Sequence, residues 1–217
     1  MMILDAFPQA AFGSSTSKTI SYLPKSDSPQ IAWTVDDGCS AESIDSYIQL
    51  ATENDLRFTF FVYSGMAPWK SQAEVLRPLV DSGQIQLANH SHTHRDLTTL
   101  SQTEIKKDLM KCHSFIQKTY GVDARPYFRA PYGALNSKVI EAAAQVGYTR
   151  PVSWSSSLVD MPKQTTNGLL GHADICFKDG NIVLSHSNNL VVSKNFEALL
   201  ALINERNLSL VTLNDVF

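Results

Sequence analysis

The feature that most restricts how this chain can fold is an alternation. Short runs of apolar, β-branched and aromatic residues are separated by stretches with helical spacing, about seven times over and without an internal repeat. The first run covers 31–35, and 41–54 follows it with Ile44, Tyr47, Ile48 and Ala51 on one helical stripe. Further strands are predicted over 57–62, 84–88, 127–129, 148–154, 181–185 and 208–212, the fifth despite Pro151. Helices are predicted over 71–82, 101–120, 136–145 and 196–205, with Gly83, Gly121 and Gly147 as stops. Ser101 with Glu104 three residues on has the pattern of a capping box, and Asn136 is a natural N-cap.

Strands joined by helical crossovers make a parallel sheet. Periodicity does not separate an open doubly wound sheet from a closed barrel, but the placement of polar residues does. Asp36 and Asp37 follow the first strand, His90 and His94 the third, Arg129 ends the fourth, Asp160 lies beyond the fifth, and His186 follows the sixth. A barrel brings all these ends to one mouth, whereas an open sheet spreads them along an edge. The expectation is an α/β fold, a single distorted barrel of (β/α)7 type with its chemistry at the C-terminal mouth of the strands.

A length of 217 residues suffices for one domain with a substantial core. Residues 1–28 read as an N-terminal arm or linker, since 10–28 is rich in Ser, Thr, Lys and Pro, and 29–217 as the working domain. With a formal net charge of -3 and no run of Lys or Arg, no nucleic-acid partner is expected. No apolar run reaches the roughly 18–20 residues of a membrane-spanning segment, and 1–25 shows no signal peptide. The three cysteines, Cys39, Cys112 and Cys176, have no C-x-x-C spacing, so neither a disulfide framework nor a cysteine zinc site is indicated.

Two adjacent carboxylates repel unless a cation neutralises one or their roles diverge. An Asp-Gly turn leading into a helix cap is the plain alternative for Asp36-Asp37-Gly38. The histidines favour the cation. His90 and His94 are four apart, so on a helical turn they share one face and can hold one ion, with His92 pointing elsewhere. Two imidazoles and a carboxylate form a three-ligand catalytic site with an open position, and either Asp37 or Asp36 can be the third ligand. His113, on an amphipathic helix, and His172, without partner spacing, read as structural. Arg129, before the stiff Pro131–Gly133 turn, suits a partner for a buried acid, and His186 a general acid.

Thr34-Val35-Asp36-Asp37-Gly38, His90-Ser91-His92-Thr93-His94, Arg129-Ala130-Pro131-Tyr132-Gly133 and Leu184-Ser185-His186 follow one another in the order of the motifs of the polysaccharide deacetylases, carbohydrate esterase family 4, which this chain resembles. The resemblance implies metal-dependent deacetylation of an acetylated glycan, with zinc or a related divalent ion such as cobalt, nickel or manganese, at the cell envelope or outside the cell. Carried over by position, Asp37, His90 and His94 would be the ligands, Asp36 the base and Arg129 its orienting partner. His186 would be the acid, tuned by Asp160; the backbone N–H of Tyr132 would face the oxyanion, and Leu184, Trp154 and Met161 would line the acetyl pocket. The sequence departs from the pattern at Val35 for Phe, at Cys39 for Pro, at Ser157 where many members carry an acid, and at Met161 for Trp. A thiol that near an ion could bind it or be oxidised, but Cys39 is expected to be buried and inert. Tyr63, Trp69 and Tyr132 can stack on a sugar ring, though aromatic residues more often belong to the core.

Overall fold

The computed structural model describes residues 18–217, so the first part of the expected arm, and most of the stretch read for a signal peptide, lie outside the described residues. The strands are β1 (Gln30–Asp37), β2 (Phe58–Val62), β3 (Ile85–Asn89), β4 (Tyr127–Phe128), β5 (Arg150–Pro151), β6 (Ser156–Ser157), β7 (Ile182–His186) and β8 (Ser209–Leu210). The α-helices are α1 (Ala41–Asn54), α2 (Pro68–Ser71), α3 (Ala73–Asp81), α4 (Gln102–Tyr120), α5 (Ser137–Ala144), α6 (Thr166–Cys176), α7 (Phe196–Glu205) and α8 (Leu213–Val216).

All strand pairings are parallel, in the order β5-β4-β3-β2-β1-β7-β6, with β8 beside the first two residues of β1. The sheet curls into a seven-strand half-barrel with helices outside, the expected fold. Among the described residues β5 and β6 do not pair with each other. Residues 20–23 lie beside that gap: Ile20 N–H donates to Pro151 O at 2.9 Å and Leu23 N–H to Gly180 O at 2.8 Å. Leu23 is buried, so this end of the expected arm packs on the barrel. No helix among the described residues is long and apolar enough to cross a membrane.

Strand alternation explains both the core and the site. Successive side chains of a strand face opposite ways. Ile31, Trp33 and Val35 of β1 join the large core under the helices, as do Phe58, Phe60 and Val62 of β2. Ala32, Phe61, Ala88, Tyr127 and Ile182 form a second, smaller cluster on the other face. Thr34 and Asp36 share the parity of Ala32, Arg129 that of Tyr127, and Leu184 and His186 that of Ile182. The polar residues therefore line the concave face above a short apolar floor.

Local rules place the helices. Ser40 Oγ accepts from Ser43 N–H at 3.1 Å to start α1, Ser101 and Glu104 form the capping box of α4, and Gly121 at φ 78° ends it. The helix predicted over 71–82 is α3, with the separate short α2 ahead of it, and the strand predicted over 148–154 shrinks to β5; Pro151 costs the pairing with β4 nothing, since Arg150 and Val152 N–H donate to Pro126 O and Phe128 O at 3.0 and 2.8 Å. β6 and α6 have no counterpart in the sequence reading.

Candidate active site

Asp37 stands at the end of β1 with φ 74°, followed by Gly38 at φ 99°. That turn is fixed by Trp69, whose indole N–H donates to Asp37 O at 2.6 Å. A Cβ on Gly38 would come within 2.3 Å of the same indole, so only glycine fits. Trp69 is fully buried and belongs to the core, not to a sugar platform. Tyr63 packs instead on the ligand set, its ring centroid 5.1 Å from that of His94.

His90 and His94 do converge with Asp37, but not on a helical turn. Residues 90–94 form a loop in which Ser91 and His94 have φ of 70° and 51°. Ser91 N–H donates to Asn89 Oδ1 at 2.8 Å and His94 N–H to Ser91 Oγ at 3.0 Å, which fold the loop back on itself. Asp108 of α4 accepts from the N–H groups of His92 and Thr93 at 2.5 and 3.2 Å and anchors the loop from below. His92 turns away, its Nδ1 on Ser64 Oγ at 3.0 Å.

Asp37 Oδ1 lies 3.3 Å from His90 Nε2 and 3.0 Å from His94 Nε2, yet this buried oxygen has no hydrogen bond of acceptable geometry. Donors sharing a tetrahedral ion at about 2.0–2.2 Å stand about 3.3–3.6 Å apart, so the His90 separation matches, the His94 one is slightly short, and the orphaned oxygen fits a divalent ion. The three donor atoms lie within 4.8 Å of one another. His90 Nδ1 sits 2.9 Å from Arg129 O, which can only accept, so Nδ1 carries the proton and Nε2 presents its lone pair. Burial opposes ionisation of Asp37, but His90 and His94 in their protonated forms, together with the Asn188 amide, outweigh it and hold the carboxyl well below the usual range.

Asp36 and His186 flank this group. Asp36 Oδ1 accepts from Arg129 Nη1 at 2.6 Å, and its Oδ2 lies 3.6 Å from His90 Nε2. Arg129 is buried and further held by Thr34 Oγ1 and Ser153 O, each at 2.9 Å, with its guanidinium 4.1 Å over the Phe61 ring. His186 Nδ1 donates to Asp160 Oδ1 at 2.8 Å, and His186 N–H to Asp160 Oδ2 at 2.6 Å. Burial disfavours the imidazolium, but Asp160, and more distantly Asp36 and Asp37, raise the His186 pKa to about 9.

An open cavity of about 370 Å³ joins these residues with Leu184, Trp154, Tyr132 and Met161. All four residues expected in the acetyl pocket or at the oxyanion therefore line it, Tyr132 with a positive φ of 60°. Sequence reasoning missed Asn188 and Asn189, which lie in the polar run after His186. Cys39 corrects an expectation: it is exposed beside the centre, because the turn at Gly38 carries it outward and its N–H is taken up by Asn188 Oδ1 at 3.1 Å. His113 is buried against Tyr148, its Nδ1 3.2 Å from the hydroxyl, and lies outside the cavity.

Residues 24–151 match the family described as polysaccharide deacetylase. The chain is 25% identical over 174 residues to a chitooligosaccharide deacetylase of Sinorhizobium fredii, covering 78% of this chain and 79% of that one. It is 28% identical over 181 residues to the peptidoglycan-N-acetylmuramic acid deacetylase of Bacillus subtilis, covering 82% and 66%. Its fold is shared by a carbohydrate esterase family 4 pseudoenzyme from Bacillus anthracis, with a TM-score of 0.80 at 19% identity over 93% of this chain and 69% of that one. The chain spans between about half and four fifths of the length of the first curated relatives it matches. With these matches beside the motifs and the barrel, the chain belongs to the polysaccharide deacetylase family, carbohydrate esterase family 4.

Proposed function

We propose that this protein hydrolyses acetyl groups from a glycan with one divalent ion, zinc by its donor set, and that its substrate is the N-acetyl group of N-acetylglucosamine-containing polymers, chitin-like oligomers or peptidoglycan. The names of its relatives support the polymer class, and its place of action in this reading is the cell envelope or outside the cell. The observation that carries the reading is the pairing of an Arg-held carboxylate and an Asp-held imidazole around three convergent donors. A merely glycan-binding relative has no use for both.

Asp37, His90 and His94 would hold the ion, which as a Lewis acid supplies the polarisation of the acetyl carbonyl and the acidity of water. Asp36 takes the proton of the attacking water. Arg129 occupies its Oδ1 and leaves Oδ2 directed at the reacting centre. Attack gives a tetrahedral oxyanion, which the backbone N–H of Tyr132 would face; one such donor contributes about 3 kcal/mol. His186 then protonates the nitrogen of the leaving amine from Nε2, since Nδ1–H is committed to Asp160 and an amide anion is too basic to depart. Acetate and a free amino sugar result. Leu184, Trp154 and Met161 enclose the acetyl methyl.

The test is acetate release from chitin oligomers, peptidoglycan fragments and acetylated xylan by ion-loaded protein, with and without chelator. Release from the first two, lost on chelation, is expected. Release from xylan alone makes the protein an O-deacetylase, and no release from any, with glycan binding retained, makes it a non-catalytic member like the B. anthracis neighbour.

A further inference from the structure

The three donors do not make Asp37 a ligand of defined geometry, because a carboxylate can offer either oxygen or both. Its second oxygen, Oδ2, accepts from Asn188 Nδ2 at 2.6 Å. The orientation of that amide is not arbitrary: Asn188 Oδ1 accepts from Cys39 N–H at 3.1 Å, so the nitrogen must face Asp37. The loop bearing Asn188 is itself held by backbone bonds that continue the pairing of β1 and β7 past the sheet. Ser187 N–H donates to Asp36 O at 3.1 Å, and Ser40 N–H to Ser187 O at 3.0 Å.

We infer that Asn188 is a positioning residue for the ion: it saturates Asp37 Oδ2 and so leaves Oδ1 as the single oxygen offered, aimed between His90 and His94. The inference rests on the proposed ion site and deepens it. It also gives the departure at Cys39 a consequence. Proline, the usual residue of the family at this position, has no N–H to orient the amide; the cysteine supplies one, and the backbone rather than the thiol is the part that matters.

Zinc affinity of the full chain is measured by titration against a chromophoric chelator, and the coordination by the visible spectrum of the cobalt form. Asn188→Leu is expected to weaken zinc binding about 10–100-fold and to change the intensity and position of the cobalt bands, both read well below the metal-free melting temperature of the variant. Asn188→Ala does the same, and Cys39→Ala does neither, since its N–H remains. Affinity and spectrum of Asn188→Leu matching the unaltered chain would overturn the inference while leaving the ion site standing. So would an equal loss in Cys39→Ala, which would make the thiol a ligand. Failure of the unaltered chain to bind any ion removes the site and the inference together.

Discussion

At the scale of single residues, the site divides labour between two carboxylates that are neighbours in sequence. Asp36 takes Arg129 and the concave face, whereas Asp37, with its left-handed backbone, turns to the imidazoles. Asp36→Asn is therefore expected to abolish acetate release while zinc remains bound; loss of the ion as well would exchange the two roles. His186 has its own signature. Its imidazolium, stabilised by Asp160, persists to a pH of about 9, against about 6.5 unperturbed, so this charge stabilises the fold fully below about 6.5 and the contribution is lost as pH rises through about 9. A proton donor fails on the same limb. Activity should follow a bell in pH, and Asp160→Asn should move its alkaline limb to lower pH. An alkaline limb that does not move would take Asp160 away from His186. The meeting of these residues was legible in the sequence because each stands at the C-terminal end of a strand, while their separate parts came only from the resemblance to the family. Asn188 was not, because an amide shows its partner only once two loops 151 residues apart meet.

At the scale of elements, the chain was readable where a local rule decides and unreadable where a tertiary contact does. α1, α4 and α7 carry an apolar stripe, with explicit caps on the first two, and were expected almost to the residue. α6 contains Gly168 and Gly171 and starts on the Thr165 cap at 3.1 Å, but its buried stripe of Leu169, Ala173 and Cys176 is blurred by Leu170 and the exposed Ile175. The histidine loop misled for a related reason. Spacing of four suggests a helical face, but Ser91 and His94 take positive φ and the loop is shaped by Asn89 and Asp108 instead. The turn after β1 yields the sharpest prediction at this scale. Gly38→Ala demands a left-handed alanine with its Cβ inside the Trp69 indole. It should destabilise the protein by about 1–3 kcal/mol in denaturant unfolding and weaken zinc binding with it. An unchanged midpoint would show that the Trp69 contact does not govern the turn.

At the scale of the whole molecule, the proposed ion would tie together parts that no single element joins. Asp37 closes β1, and His90 and His94 follow β3, with β2 between them in the sheet. A ligand that binds only this folded arrangement stabilises it by mass action, about 2.7 kcal/mol when present at a hundredfold excess over its dissociation constant. For a chain of this length that corresponds to a rise in melting temperature of about 5–11 °C. The rise should vanish in His94→Ala, which removes one of three donors, and persist in His92→Ala, whose ring points at Ser64. Scanning calorimetry with zinc and with chelator reads all of this without any substrate. A rise that survives His94→Ala would mean that zinc binds elsewhere on the surface, and the barrel mouth would then hold no ion for the proposed hydrolysis.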